Sequence, residues 1–227
     1  MSYRPLPIYV VSAPSGTGKT TLNRRLVEEH PEIEIAVSLT TRLPRKGEEH
    51  GVHYYFVSPA EFQSRIHMGE MLENANVHGN FYGTSLVELG KVAQRGHIPL
   101  LEIDVQGWDQ AKGKLPNAVS VFILPPSMQV LWERLEKRGT DSIEVRMRRL
   151  RNARAEIAAA GSYRWFVLND DLERAYQELK SIIVHGQPGR LGAEAGTEIC
   201  QRLVQEFDQA SWVRDIEQQV AAGNKGS

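Results

Sequence analysis

Lys19 and Thr20, preceded by Ser12-Ala13-Pro14-Ser15-Gly16-Thr17-Gly18 and followed by Thr21, are the residues of this chain with the clearest chemistry. An apolar run (Ile8-Tyr9-Val10-Val11), a Gly-containing turn and a helix start bring backbone N–H groups and a helix N-terminus onto one anion. In such a cradle Lys19 reaches the β/γ-phosphates of a nucleotide, and the Thr20 hydroxyl holds Mg²⁺. Ala13 stands where the pattern G-x-x-x-x-G-K-[ST] has its first Gly. A Gly-rich turn without a ligand is the alternative.

Three further groups have types and spacing suited to chemistry. Arg42 and Arg45 lie in a segment that Pro44 and Gly47 keep from regular helix, and arginine suits bidentate phosphate contacts. A solvated basic loop is the competing reading. Glu102 and Asp104 end the apolar run Ile98–Asp104. Strand alternation would put both on one face, near Mg²⁺-bound water or a substrate amine; alternatively the acid caps the turn Val105-Gln106-Gly107. Between Glu133 and Arg154 there are eight basic residues and four acidic ones. The arginines beside the turn 138–142 suit a mobile lid, whereas Arg148, Arg151 and Arg154 are expected on a solvated face.

These groups need a frame. Strands are expected at 8–11, 33–39, 52–57, 71–77, 98–104, 119–124 and 165–168, the last of them the final strand. Helices are expected at 18–30, from Ser58, at 86–95, from Ser127, from the turn 138–142 to about Gly161, and from Asn169 to about Val184. Ser58, Pro59 and Glu61 form a capping-box signal. Strands alternating with helices after a phosphate loop predict an α/β fold, a P-loop NTPase-type parallel sheet flanked by helices. Residues 185–196 read as a linker. Thr197–Val220 reads as one amphipathic helix that packs on the core or on a second subunit.

Composition narrows the class. A net charge of −1 over 227 residues argues against a general nucleic-acid binder. The single cysteine, Cys200, excludes an intrachain disulfide and a cysteine-based zinc site. With a strand pattern starting at Ile8 and no apolar run near the ~18 residues a span needs, neither a signal peptide nor membrane attachment is expected, and a cytoplasmic location is.

The ordered motifs Ser12–Thr20, Ser38-Leu39-Thr40-Thr41-Arg42-Leu43-Pro44-Arg45, Gly79–Thr84, Ile103-Asp104-Val105-Gln106-Gly107, Phe122–Ser127 and Asn169-Asp170-Asp171 resemble the guanylate kinases over about residues 8–184. In that family the cradle often begins Ser-Ala-Pro-Ser-Gly, which accommodates Ala13. The resemblance implies transfer of the ATP γ-phosphoryl group to GMP, and to dGMP, with Mg²⁺ as cofactor. It implies a P-loop core (6–38, 90–132 and 162–184), an inserted mixed α/β GMP-binding unit (39–89), a helical lid (133–161), and a linker with a C-terminal helix (185–227) through which the protein could form a homo-oligomer.

Carried over residue by residue, the resemblance places ATP on Ala13, Pro14, Ser15, Gly16, Thr17, Gly18, Lys19, Thr20, Thr21 and Asn169, with Mg²⁺ on Thr20. Arg42, Arg45, Tyr54 and Tyr82 would hold the GMP phosphate. Ser38, Glu73, Thr84, Glu102 and Asp104 would surround the guanine or its sugar, Glu73 accepting from N1–H and the 2-amino group. Lys19, Arg42, Arg134, Arg138 and Arg149 would stabilise the transferring phosphoryl group. Glu102 stands where many relatives have Asp, and Thr84 where some have Ser. The other classes are a catalytically inactive guanylate-kinase-like binding module, which a degraded cradle would mark, and a P-loop kinase for another phosphorylated acceptor.

Overall fold

The computed structural model describes residues 7–77, 79–137, 139 and 141–223. Arg138, one of the expected lid arginines, lies outside the described residues. Strand β1 (Tyr9–Ser12) is buried at all four positions, as an apolar run covered on both faces requires. After the loop, α1 (Lys19–Glu29) buries Leu22, Asn23 and Leu26.

The β-prone run 33–39 is two strands, β2 (Ile33–Ile35) and β3 (Leu39–Thr40), which belong to different sheets. The backbone partners switch between them: Ala36 N–H donates to Leu100 O, whereas Ser38 O accepts from Tyr55 N–H. Of the run 52–57 only Tyr55–Phe56 forms a strand, β4. Val52 and His53 both donate their N–H groups to Glu49 O in a turn and have none left for a ladder.

Helix α2 (Pro59–His67) starts as expected, with the Ser58 side chain accepting from Glu61 N–H. The Glu61 carboxylate accepts from Arg65 one turn on. A hairpin of β5 (Met71–Val77) and β6 (Asn80–Ser85) follows, then α3 (Leu86–Gln94) and β7 (Ile98–Glu102). Asp104 does not continue β7 alongside Glu102. It is the N-cap of a helix the sequence reading had taken for a turn, α4 (Val105–Ala111), and accepts from Gly107 N–H at 2.8 Å. An N-cap carboxylate satisfies an orphan donor of the first turn, which explains the early strand end.

Strand β8 (Val119–Leu124) leads to α5 (Met128–Lys137), α6 (Ile143–Ala158), β9 (Trp165–Leu168) and α7 (Leu172–Ile183). Strand β9 is not the last. Within the stretch read as a linker, β10 (Leu191–Gly192) pairs antiparallel with β9. The expected single tail helix is two, α8 (Ala193–Gln209) and α9 (Ser211–Gly223), separated at Ala210, whose ψ of 129° is extended.

The described residues divide into two compact units, those within 7–10 and 27–119, and those within 11–26 and 120–223. The first holds the parallel pair of β2 and β7 and a four-stranded sheet in the order β4-β3-β6-β5. Leu39, Phe62 and Met71 form the core of the latter, with Phe81 stacked on Phe62. The second holds the run β10-β9-β8, with β8 and β9 parallel. Among the described residues no helix is long and apolar enough to cross a membrane.

In the second unit the tail packs back on its own chain. Helix α8 meets α5, α6 and β9, and α9 meets α6; Cys200, Leu203 and Val213 are buried. Arg151 and Arg154, expected on a solvated face, do lie at the surface and there pair with Glu217 and Asp208 of this tail, at 2.8 and 2.7 Å. Such surface pairs contribute little energy each; apolar packing dominates. Gly196 marks the closest approach, because a Cβ there would sit 1.9 Å from the ring of Phe166, which is fully buried. Gly196→Ala is therefore expected to cost about 1–3 kcal/mol by overpacking, read as a lower thermal midpoint with unchanged secondary structure.

Candidate functional site

In the second unit the loop between β1 and α1 forms an anion cradle. Gly16 and Gly18 adopt φ of +93° and +102°, a conformation that glycine takes without steric cost. A Cβ at Gly18 would lie 2.7 Å from Asn169 Nδ2, and one at Gly16 would lie 3.0 Å from Leu135. The loop is held from behind. Asn169 Nδ2 donates to Thr17 O at 2.6 Å, and the Arg134 guanidinium donates to Asn169 O at 2.9 Å and to Thr17 O at 3.4 Å. Arg134 thus grips the main chain of the cradle from α5.

Residues 13–16 and 18–21 line a cleft of about 300 Å³. Helix α6 adds Glu156 to its wall, an acid the sequence reading did not single out. The Thr17 hydroxyl oxygen is buried without a hydrogen-bond partner. Arg149, also on α6, pairs with Asp141 at 3.0 Å.

The groups fit a Mg²⁺-nucleotide. Thr20 is exposed at the first turn of α1, on the cleft wall. Among the described residues no cluster of three or more His, Cys, Asp or Glu side chains could hold a metal by itself. The Thr20 hydroxyl beside a phosphate cradle suits Mg²⁺, which keeps several waters and binds through few protein oxygens plus substrate phosphates.

In the first unit two groups of expected acceptor-site residues come together on the small sheet. One surrounds Arg42. Its Nε donates to the Tyr82 hydroxyl at 3.2 Å, and its guanidinium lies over the rings of Tyr54 and Phe56. Tyr54 and Tyr82 meet edge to face at 5.9 Å. Burial above all pushes the Tyr54 hydroxyl up; its neighbours Tyr82, Glu48 and Glu102 add to the rise, and Arg42 opposes it.

Glu48, which sequence reasoning missed, accepts from both ends of the Arg42 fork at 2.9 Å and from Arg45 N–H at 2.7 Å. These bonds, Arg42 first, bring its carboxyl down to about 2 from 4.5. A carboxylate depressed in the folded state contributes stability above its unfolded pKa that is lost as pH falls through the folded one. Between about pH 4.5 and 2 the wild type should therefore lose more stability than Glu48→Gln, checked by thermal midpoints across that range.

The other group surrounds Glu73, which is 8% exposed opposite Thr84 on the β5–β6 hairpin. Ser38 and Thr84 hydroxyls lie 3.3 Å apart. Burial is the main cause of a raised Glu73 carboxyl; Asp104 adds to the rise, while the bond from Thr84 and the charge of Lys114 oppose it. A bare Cα at Gly107 leaves room for the carboxylate, since a Cβ there would stand 3.3 Å from Glu73 Oε2. The result is a largely buried polar recess with a strong acceptor and two hydroxyls.

A strand, a loop with two left-handed glycines, Lys-Thr at a helix start and parallel α/β layers define a P-loop α/β protein. The family model described as guanylate kinase matches residues 6–186, and the chain belongs to that family. It is 51% identical over 182 residues to a guanylate kinase of Neisseria meningitidis serogroup A, covering 80% of this chain and 89% of the relative. It is 47% identical over 176 residues to one from Dechloromonas aromatica, with 78% and 87% covered. A crystal structure of guanylate kinase from Anaplasma phagocytophilum superposes with a TM-score of 0.62 at 34% identity, over 81% of this chain and 88% of that one.

Proposed function

We propose that this protein is an ATP-dependent nucleoside monophosphate kinase that transfers the γ-phosphoryl group of ATP to GMP, and to dGMP, giving ADP and GDP. The observation that carries this reading is the match of residues 6–186 to the guanylate kinases in a chain whose cradle keeps Gly16, Gly18, Lys19 and Thr20. A binding module that had lost catalysis would have no use for an intact Lys-Thr pair, and nothing favours that alternative. The proposed division of labour is a P-loop core (6–38, 90–132, 162–184), a GMP unit (39–89), a lid (133–161) and a tail (185–227), in a cytoplasmic enzyme.

In this reading Lys19 and the loop N–H groups bind the β/γ-phosphates, and Thr20 contributes a ligand to Mg²⁺. The metal, when bound, neutralises charge on the phosphates. Arg134 would order the cradle by its hold on Thr17 and Asn169, and Arg138 and Arg149 would supply positive charge to the equatorial oxygens. Phosphoryl transfer depends on positioning and electrostatics more than on covalent chemistry. For Arg149 to serve, Asp141 has to release it.

On the acceptor side Arg42, Arg45, Tyr54 and Tyr82 would bind the GMP phosphate. Since Glu48 engages the Arg42 fork, the phosphate would approach its remaining edge or displace Glu48. Glu73 would accept from N1–H and the 2-amino group of guanine, a donor pair adenine lacks, with Ser38, Thr84, Glu102 and Asp104 around the base or sugar. An ADP-release assay with GMP, AMP, CMP and UMP tests the assignment. Turnover with GMP alone is expected; equal use of AMP, or no release with any acceptor, overturns it.

A further inference from the structure

Strand β5 is one edge of the four-stranded sheet, and its ladder with β6 is irregular where Glu73 stands. Met71 pairs with Ser85 and Glu73 with Thr84, so the register shifts between Met71 and Glu73. Two steps along β5 match one along β6, which makes Leu72 the extra residue of a bulge. Bulges re-aim side chains and leave main-chain groups outside the ladder. Here those groups have a partner: Lys114 Nζ donates to Met71 O at 2.9 Å and to Leu72 O at 2.8 Å.

On the other side of Glu73 the edge is held in a similar way. The Gln110 side chain accepts from Asn74 N–H at 3.1 Å and donates to Asn74 O at 3.0 Å, pairing with the strand edge as another backbone amide would. Gln110 belongs to α4, and Lys114 follows in the turn where its own N–H donates to Ala111 O. The same helix supplies Gly107, whose missing Cβ leaves space beside Glu73 Oε2. One short segment therefore holds the main chain at 71, 72 and 74 and gives the carboxylate at 73 its space.

We propose that Lys114 and Gln110 are positioning residues for guanine recognition, holding the bulged edge strand so that the Glu73 carboxylate is presented at a fixed height and angle. Neither needs to touch the nucleotide. This rests on the reading of Glu73 as the base reader. A carboxylate accepting from two donors on one planar base is sensitive to displacement, and about 1 Å of misplacement can cost up to ~10²-fold.

The test is a double-mutant cycle on the full chain, measuring KM for GMP and ATP and the preference for GMP over inosine monophosphate, which lacks the 2-amino group. Lys114→Met is expected to raise the GMP KM about 10-fold and to lower the GMP preference, with ATP KM within about twofold and Lys114→Arg restoring most of the loss. Added to Glu73→Gln, it should have little further effect, because coupled sites are non-additive. Gln110→Ala, which removes two exposed hydrogen bonds, gives the same pattern more weakly and serves if Lys114→Met fails to fold. An equal factor in both backgrounds, or GMP and ATP KM rising together with an unchanged preference, overturns the positioning role alone. A Glu73→Gln variant with unaltered GMP KM removes the base-reading role itself, and this proposal with it.

Discussion

Lys19→Ala is expected to lower kcat by about 10²–10³-fold or more while the thermal midpoint stays near that of the wild type. The magnitude follows from the loss of a preorganised charge at the site where negative charge is redistributed, and one such donor is worth that factor in a water-poor site. The fold should survive because the described hydrogen bonds that shape the loop do not involve the Lys19 side chain. They run from Asn169 Nδ2 and Arg134 to the carbonyls of Thr17 and Asn169, and from Thr17 N–H to Pro14 O. Steady-state kinetics beside a melting curve separates the two effects. A kcat within a few-fold of wild type would remove Lys19 from phosphate stabilisation.

Glu73→Gln is expected to raise the GMP KM by about 10- to 100-fold and leave the ATP KM within about twofold. The carboxylate can accept from both guanine donors, whereas an amide turns its NH₂ group toward one of them. That loses a charged hydrogen bond of about 1.5–3 kcal/mol. Burial holds the Glu73 carboxyl above its ordinary range, so pH adds an independent readout. Guanine needs the ionised form; GMP binding should therefore weaken as pH falls through the raised value, while the variant has no such titration. A GMP KM that is flat with pH in the wild type, or unaltered in the variant, would take Glu73 out of the base-reading role.

The cradle was legible because the residues that would meet the phosphates lie within ten consecutive positions. Two glycines permit φ near +100°, and a lysine and threonine open the helix. The strands at 71–77, 119–124 and 165–168 were legible for the same local reason. Expectations failed where a distant partner decides. Glu48 read as part of a charged loop, and only folding brings its carboxylate onto the Arg42 fork. Arg151 and Arg154 lie at the surface as expected, but their partner acids, Glu217 and Asp208, come more than fifty residues later and could not be read beside them. Strand β10 is two residues long, too short for any period-2 signal, and exists because β9 offers it an edge.

Chemical identity is therefore a local property of this chain. The residue types for holding a triphosphate, the arginine pair and the order of the motifs are written in neighbouring positions, where backbone sterics and side-chain chemistry act over a few residues. Orientation is a tertiary property. That Arg134 grips the cradle and that Lys114 and Gln110 fasten the bulge beside Glu73 both depend on segments 36 to 117 residues apart finding unpaired donors and acceptors. Those pairings follow from the need to satisfy polar groups that packing removes from water, and no short window of sequence contains both partners.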